Sequence, residues 1–80
     1  MAEYTYTVIF EPDLKEGGYV ATVPVLGIAT QGETLEETRA MVQEAIHSYL
    51  EGLQKARQII PQESTDISKQ VRTEHVAVQV

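Results

Sequence analysis

The sequence predicts an α+β domain in which one helix packs on one face of a four-stranded sheet. Three observations predict this class: one central segment has helical periodicity, short strand-like segments precede and follow it, and proline or glycine separates most of these segments. An isolated helix of about 20 residues is only marginally stable in water. The strands must therefore form the surface that covers the apolar face of the helix.

Three strands are predicted before the helix. Residues Glu3–Glu11 alternate aromatic or β-branched side chains with period two, and Pro12 ends this strand at the start of a charged hairpin loop. The second strand runs from about Gly18 to Val23 and is closed by Pro24, and a brief third strand covers Ile28 to Gln31. These strands form an antiparallel meander.

The helix is predicted over Leu35 to Lys55. Gly32 ends the third strand, and Thr34 with Glu37 has the spacing of a capping box. Pro61 prevents the helix from continuing much further. Its apolar face recurs at intervals of three and four residues and comprises Leu35, Thr38, Val42, Ala45, Ile46, Tyr49 and Leu53.

A polar connecting segment over residues 58–72 leads to a fourth strand at His75–Val80, where valine alternates with other residues. Ser64 or Thr65 could cap a short helical turn from Ser64 to Gln70. A right-handed crossover places the fourth strand beside the first, in the spatial order 3-2-1-4 and as part of a mixed sheet. Residues 1–80 are thus predicted to be a single domain.

The sheet face opposite the helix is predicted to lack a cover within the chain. The fourth strand also forms an exposed edge, which offers a second route to assembly. We therefore expect a homodimer or homotetramer. The residues on the uncovered face are polar enough to be solvated and apolar enough to pair with a second copy or a partner: Thr5, Thr7, Ile9, Val20 and Thr22.

The charge balance predicts a basic protein partner. Twelve acidic and six basic residues give a net charge of −6, which argues against binding nucleic acid or an anionic membrane surface. The alternative that this acidity only aids solubility stays open. The chain has no cysteine, no apolar run near the ~18 residues that span a bilayer, and no signal pattern at its N-terminus. We expect a soluble cytoplasmic protein.

Little in the sequence suggests catalysis, and neither a metal nor a cofactor is predicted. His47 lies in the helix and His75 opens the last strand, and neither has an acid at ligand spacing. Gly17 and Gly18 precede a strand rather than a helix, so they fit a hairpin turn better than a phosphate-binding loop.

The order of the elements is similar to the first half of the ribonuclease H architecture. Members of that class cut nucleic acid with metal ions held by carboxylates on the first strand, the helix and the fourth strand. The middle of the first strand here is Thr7, Val8 and Ile9, and the fourth strand has no acid after Glu74. A two-metal site cannot be assembled from these residues.

The motifs GGYVATVP, LGIATQGETLEET, EAIHSYLEGL and IIP, followed by a polar stretch and a valine strand, resemble the HicB-like antitoxin family of bacterial and archaeal toxin-antitoxin systems. The resemblance runs from Tyr4 to Val80. The chain departs from the family pattern in lacking one residue and a second proline between Pro24 and Gly27. It also has Ile28 where a cysteine or small residue is common.

The resemblance implies a degraded ribonuclease H-like fold without catalytic activity, which binds and masks a small basic (HicA-like) toxin that cleaves mRNA with a histidine. Many family members append a helix-turn-helix or ribbon-helix-helix segment. Because this chain ends at Val80 within a strand, we expect no appended DNA-binding domain and no direct binding of nucleic acid.

The candidate partner-binding residues are the acids of the hairpin and helix start, with Tyr19 as an aromatic anchor. The acids are Asp13, Glu16, Glu33, Glu36 and Glu37. Two alternatives remain open for them: contact with a partner, or only capping, turn formation and solvation. The competing functions are an orphan oligomeric domain that binds a small ligand or another protein between sheet and helix, and a metal-dependent nuclease.

Overall fold

The computed structural model describes residues 3–63 and 73–80. In chain order the elements are β1 (Glu3–Pro12), β2 (Tyr19–Val23), β3 (Ile28–Gly32), α1 (Leu35–Lys55) and β4 (Thr73–Gln79). Every predicted strand and the helix are present, with ends within about two residues of the expected positions. The predicted turn over Ser64 to Gln70 lies outside the described residues.

The four strands form one sheet in the order β3-β2-β1-β4, which confirms the predicted order, and residues 3–63 and 73–80 contain one helix, as predicted. All three strand pairs are antiparallel: β1 with β2, β2 with β3, and β1 with β4. The predicted mixed sheet is therefore wrong. Strand β4 does lie beside β1, but it runs antiparallel to β1 and not parallel to it.

The path between α1 and β4 explains the direction of β4. The Tyr6 hydroxyl donates to the Pro61 carbonyl over 2.5 Å, and the Thr7 amide donates to the Glu63 carboxylate over 2.6 Å. Residues 61–63 therefore lie beside Tyr6 and Thr7 of β1. The first residue of β4, Thr73, pairs with Ile9 of β1. A crossover by the helix alone would have delivered a parallel strand.

The core lies between the sheet and one stripe of α1. Alternate residues of β1, β2 and β4 face the helix and are buried: Tyr6, Val8, Phe10, Ala21, Val23, Val76 and Val78. The buried stripe of the helix is Thr38, Val42, Ile46 and Leu50. Leu50 is buried although it lies outside the predicted apolar face, whereas Tyr49, which was predicted on that face, is 39% exposed. The stripe follows a strict spacing of four residues, which leaves Tyr49 at its border.

Helix α1 ends in a Schellman motif without glycine. The amide of Arg57 donates to the Gln54 carbonyl over 3.0 Å, and the amide of Gln58 donates to the Leu53 carbonyl over 2.9 Å. Arg57 takes the left-handed conformation, with φ of 57°, that glycine usually supplies at this position. The motif turns the chain toward Pro61 and so begins its return along β1.

A close backbone contact joins the hairpin loop, β3 and the start of α1. A Cβ at Gly18 would lie 2.3 Å from the Gly32 carbonyl oxygen, and a Cβ at Gly32 would lie 2.5 Å from the Thr38 hydroxyl. The Thr38 hydroxyl is itself buried and donates to the Thr34 carbonyl over 2.7 Å. These contacts leave room only for hydrogen atoms, so the helix begins at a fixed place on the sheet.

We expect Gly18→Ala to destabilise the fold more than Gly17→Ala. Both glycines have positive φ, 80° and 82°, so both substitutions carry backbone strain of about 1 kcal/mol. Only at Gly18 would the added methyl also meet backbone, whereas nothing lies within 4 Å of a Cβ at Gly17. Urea unfolding of the two variants measures the difference, and equal losses of unfolding free energy would contradict the close contact.

Candidate partner-binding surface

Three of the predicted acids come together at one end of the sheet. Glu16 of the hairpin loop, Glu33 after β3 and Glu37 of α1 line a shallow open groove of about 320 Å³. The other residues that line it are Gly17, Gln31 and Gly32. All three acids are exposed. We call this surface the acidic groove.

The groove is positioned by the same contacts that fix the helix start. The Thr34 hydroxyl accepts the Glu37 amide over 3.0 Å, as predicted for the helix cap. This bond holds Glu37 in the first turn of α1, and the packing of Gly18 on Gly32 brings the hairpin loop beside it. The carboxylates therefore project from three elements that are held rigidly together.

Asp13 organises the hairpin loop rather than facing the groove. One of its carboxylate oxygens accepts the amides of Lys15 and Glu16 over 3.0 and 3.2 Å, and the other accepts the side-chain amide of Gln31 over 2.9 Å. Because both oxygens are occupied, Asp13 acts as a brace that ties the loop to β3. Its carboxylate has less capacity left for a partner than the groove acids have.

The two other predicted residues lie outside the lining of the groove. Tyr19 is half-buried and stands opposite Gly32 in the β2–β3 pair. Glu36 is exposed in the first turn of α1, where its charge acts on Arg39, three residues further along the helix. The structure thus brings together three of the six candidate residues directly.

The charge of the groove suits it to bind cationic side chains. Exposed carboxylates accept hydrogen bonds from lysine and arginine, and opposite charges accelerate association. Within residues 3–63 and 73–80, no three histidine, aspartate or glutamate side chains converge so that they could hold a metal ion. His47 contacts Glu51 within α1 at 3.6 Å, whereas His75 is exposed on β4.

A second and larger groove separates α1 from β4. It has a volume of about 530 Å³, and residues from the start of β1, from the helix and from the end of β4 line it: Glu3, Ala40, Gln43, Glu44, His47, Ala77, Val78 and Gln79. This groove is wide open to solvent, and the only charged groups on its walls besides His47 are two glutamates. A smaller groove of about 320 Å³ lies on the other side of the helix, between α1 and Thr30 of β3.

Glu63, which no sequence pattern singled out, binds the middle of β1. Its carboxylate accepts both the amide and the hydroxyl of Thr7, each over 2.6 Å. Because β2 pairs only with residues 9–12 of β1, the Thr7 amide has no strand partner on that side. Thr7 is consequently buried, with 1% exposed, although it lies on the face predicted to be open. Nothing in the polar segment around Pro61 signalled this contact.

The neighbouring Tyr6 hydroxyl donates to the Pro61 carbonyl, and its pKa is raised. Burial raises the pKa of Tyr6 above its usual value of 10.0, and the neighbouring Tyr4 and the charge of Glu63 raise it further. A raised pKa means that the folded state favours the neutral phenol. The stabilisation that this phenol provides is complete below about pH 10 and is lost as the pH rises through the folded-state pKa.

Arg39 and Glu74 form an ion pair between α1 and β4 that was also missed. Arg39 Nε and Nη2 donate to the two Glu74 oxygens over 2.8 and 2.5 Å, and the guanidinium lies 5.7 Å from the centre of the Phe10 ring. The hydrogen bond from Arg39 lowers the pKa of Glu74 below its usual value of 4.5. The two residues are far apart in the sequence, so no local pattern could have revealed the pair.

The fold defines a small α+β domain, with four antiparallel strands and one helix among the described residues. Residues 6–79 match the family described as HicB_like antitoxin of bacterial toxin-antitoxin system. The chain belongs to this HicB-like antitoxin family, as its motifs predicted.

Three curated relatives are similar to this chain in sequence over most of their length. The UPF0150 protein Ta0767 of Thermoplasma acidophilum is 42% identical over 62 residues, which is 76% of this chain and 88% of the relative. Two proteins of Synechocystis are also similar. The UPF0150 protein ssr1765 is 44% identical over 75% of this chain and 76% of its own length, and ssl0259 is 38% identical over 80% and 88%. No helix among the described residues is long and apolar enough to cross a membrane.

We expect Glu63→Ala to lower the free energy of unfolding by about 1–3 kcal/mol, because the buried Thr7 amide and hydroxyl lose a charged acceptor. Glu63→Gln is the matched control, since its amide oxygen still accepts the Thr7 amide and its NH₂ group can donate to the Thr7 hydroxyl, which then acts as the acceptor. Urea unfolding measures both variants. Equal losses for alanine and glutamine would contradict a hydrogen-bonding role for this side chain.

We expect Glu74→Gln to flatten the acid side of the pH–stability profile. A lowered pKa means that the ionised carboxylate contributes stability above about pH 4.5, and that this contribution is lost as the pH falls through the folded-state pKa. Thermal unfolding from about pH 7 down to pH 3 measures it. Glu11→Gln, at an exposed position on β1, is the control and should leave the shape of the profile unchanged.

Proposed function

We propose that this protein is a non-catalytic antitoxin that binds a small basic mRNA-cleaving toxin in the cytoplasm and masks its active surface. The observation that carries the proposal is the acidic groove, in a chain that belongs to the HicB-like antitoxin family. Its carboxylates come from three elements whose relative positions the backbone contacts fix. A partner therefore meets a preformed anionic surface, which lowers the entropy cost of binding.

The charge of the whole chain supports the same assignment. A net charge of −6 attracts a basic protein over the distance of the Debye length, about 8 Å at physiological ionic strength. The same charge repels the phosphate backbone of mRNA. An acidic cover placed over a cationic nuclease surface competes with RNA through the groups that RNA would contact. Masking then requires no chemistry from the antitoxin.

Within the groove, Glu33 and Glu37 are the best candidates for direct contact. Neither carboxylate is tied up in the hydrogen bonds that occupy Asp13, and both residues are exposed. Glu16 supplies a third charge from the hairpin loop. Lysine and arginine of the toxin would bind between these carboxylates, as charge-assisted pairs.

The test is capture of the small basic protein encoded beside this gene. We expect the double substitution Glu33→Lys and Glu37→Lys to weaken capture at least about tenfold, or about 1.4 kcal/mol. The matched control is Glu44→Lys with Glu51→Lys, which changes the net charge equally but on exposed positions further along α1. Binding is measured by calorimetry, and neutralisation by growth of cells that express the toxin.

The two double variants test whether the acidic groove is the contact surface, and the unaltered protein tests the antitoxin function itself. Equal weakening by both pairs would mean that only the overall charge matters and that the groove is not the contact surface. If the unaltered protein neither binds the neighbouring basic protein at low salt nor protects cells from it, the antitoxin function itself is wrong.

A further inference from the structure

The outer edge of β3 has backbone groups with no strand partner among the described residues. Strand β3 lies at one end of the sheet, beside β2. The Asp13 amide donates to the Gly18 carbonyl over 2.9 Å. That carbonyl therefore faces β1, and the amide of Tyr19, on the opposite side of the same planar peptide, faces β3. Because backbone groups alternate sides along a strand, Ala21 and Val23 also face β3.

The register of β2 with β3 identifies the backbone groups that point outward. The partners of the three inward-facing residues bond to β2, and they are Ile28, Thr30 and Gly32. Ala29 and Gln31 alternate with them, so their amides and carbonyls face the outer edge. Both side chains are exposed. The Gln31 side chain donates to Asp13 over 2.9 Å and is thereby held toward the hairpin loop, away from this edge.

This edge lacks the features that usually prevent strand addition. Its register with β2 runs without a bulge from Ile28 to Gly32, and β3 contains neither proline nor lysine. Glu63 and Thr73 contact β1, which β2 separates from β3. The described residues thus leave the edge of β3 open.

A groove runs beside this edge on the side of the sheet that carries the helix. It is the smaller groove of about 320 Å³, and its lining includes Thr30 of β3 and Met41, Ala45 and Ser48 of α1. Met41 is 42% exposed, although methionine is usually buried. Its flexible thioether side chain can adapt to an apolar side chain that enters the groove. We call this the Met41 groove.

The acidic groove continues the same edge at its other end. Gln31 and Gly32 of β3 contribute to its lining, together with its three carboxylates. Side chains on one face of a strand are two residues apart. A strand placed beside β3 would therefore direct one side chain, opposite Thr30, into the Met41 groove. The next side chain on that face, opposite Gly32, would reach the acidic groove.

We propose that the basic partner docks with an extended segment that adds a strand to the sheet along the outer edge of β3. The backbone of Ala29 and Gln31 bonds to the segment, an apolar side chain fills the Met41 groove, and a lysine or arginine binds the acidic groove. In complexes of this kind main-chain hydrogen bonds provide affinity and side-chain pockets provide specificity. The inference rests on the proposed function and names the kind of segment that the partner contributes.

The charge of the edge favours a basic segment over a second copy of this chain. Strand β3 itself reads IATQG and carries no basic residue. Two copies paired along β3 would therefore offer no cation from that strand to the carboxylates of either acidic groove. A basic segment neutralises these carboxylates while its backbone completes the edge.

Amide hydrogen exchange, measured by NMR, tests this docking mode. In the free protein we expect the amide of Thr30, which bonds to β2, to exchange more slowly than those of Ala29 and Gln31. The probe is the small basic protein encoded beside this gene. At saturation it should slow exchange at Ala29 and Gln31 at least about tenfold, because both amides become hydrogen-bonded.

Met41→Lys tests the Met41 groove. It places a charge where an apolar side chain packs, so the dissociation constant should rise at least about tenfold more than in the control. The matched control is Gln43→Lys, which adds the same charge two residues away, at an exposed position that lines the groove between α1 and β4. Calorimetry measures binding, and circular dichroism establishes that each variant is folded.

Ala29→Pro tests the strand edge, because proline removes an outward amide and not one that bonds to β2. It should weaken binding about tenfold, as expected for a lost hydrogen bond. Ala29→Val keeps the amide and is the control. If the proline variant does not fold, exchange in the unaltered protein decides.

The outcomes separate the docking mode from the proposed function. A complex that forms without protection of Ala29 and Gln31, or that Met41→Lys weakens no more than Gln43→Lys, overturns the docking mode and leaves the antitoxin function standing. Absence of any complex with the unaltered chain at low salt overturns the proposed function, and the docking mode with it.

Discussion

The contact of Gly32 with Thr38 is the constraint on which the rest of this structure depends. It places the first turn of α1 directly against the end of β3, with no room for a side chain between them. From that fixed start, the stripe of Thr38, Val42, Ile46 and Leu50 lies over the sheet and closes the core. The same contact holds the hairpin loop beside the helix start, since Gly18 packs on Gly32 in turn. One close approach thus sets both the packing of the core and the position of the surface carboxylates.

A second constraint operates where the helix ends. Arg57 reverses the chain in a left-handed conformation, and the hydrogen bonds of Pro61 and Glu63 then lead it along β1. Strand β4 then pairs antiparallel with β1 at the edge of the sheet. The ion pair of Arg39 with Glu74 joins β4 to the helix from the other side. Polar contacts between distant residues therefore determine the strand direction, while apolar burial determines which faces meet.

The division between what the sequence predicted and what it did not follows this distinction. Period-two alternation and the prolines after β1 and β2 placed the strands, and the spacing around Thr34 placed the helix start, because these are local effects of backbone geometry. The predicted direction of β4 was wrong because the chain returns along β1 after the helix. The contacts of that return join Pro61 to Tyr6 and Glu63 to Thr7, which are more than 50 residues apart in the sequence. Leu50 was missed because the border of a helical stripe depends on how the helix crosses the sheet. The acids at the helix start were predicted from their positions in the sequence. That Glu33 and Glu37 line one groove with Glu16 depends on the close packing of Gly18 on Gly32, which no local pattern indicated.

The bond between Glu63 and Thr7 has a consequence for how the chain avoids misassembly. The first half of β1 extends beyond the end of β2, and a bare strand there would attract other chains while the protein is being made. The Thr7 amide donates to the Glu63 carboxylate instead, and a carboxylate does not pair with a further strand. The Glu63 side chain thus shields the Thr7 amide, in the part of β1 that β2 does not cover.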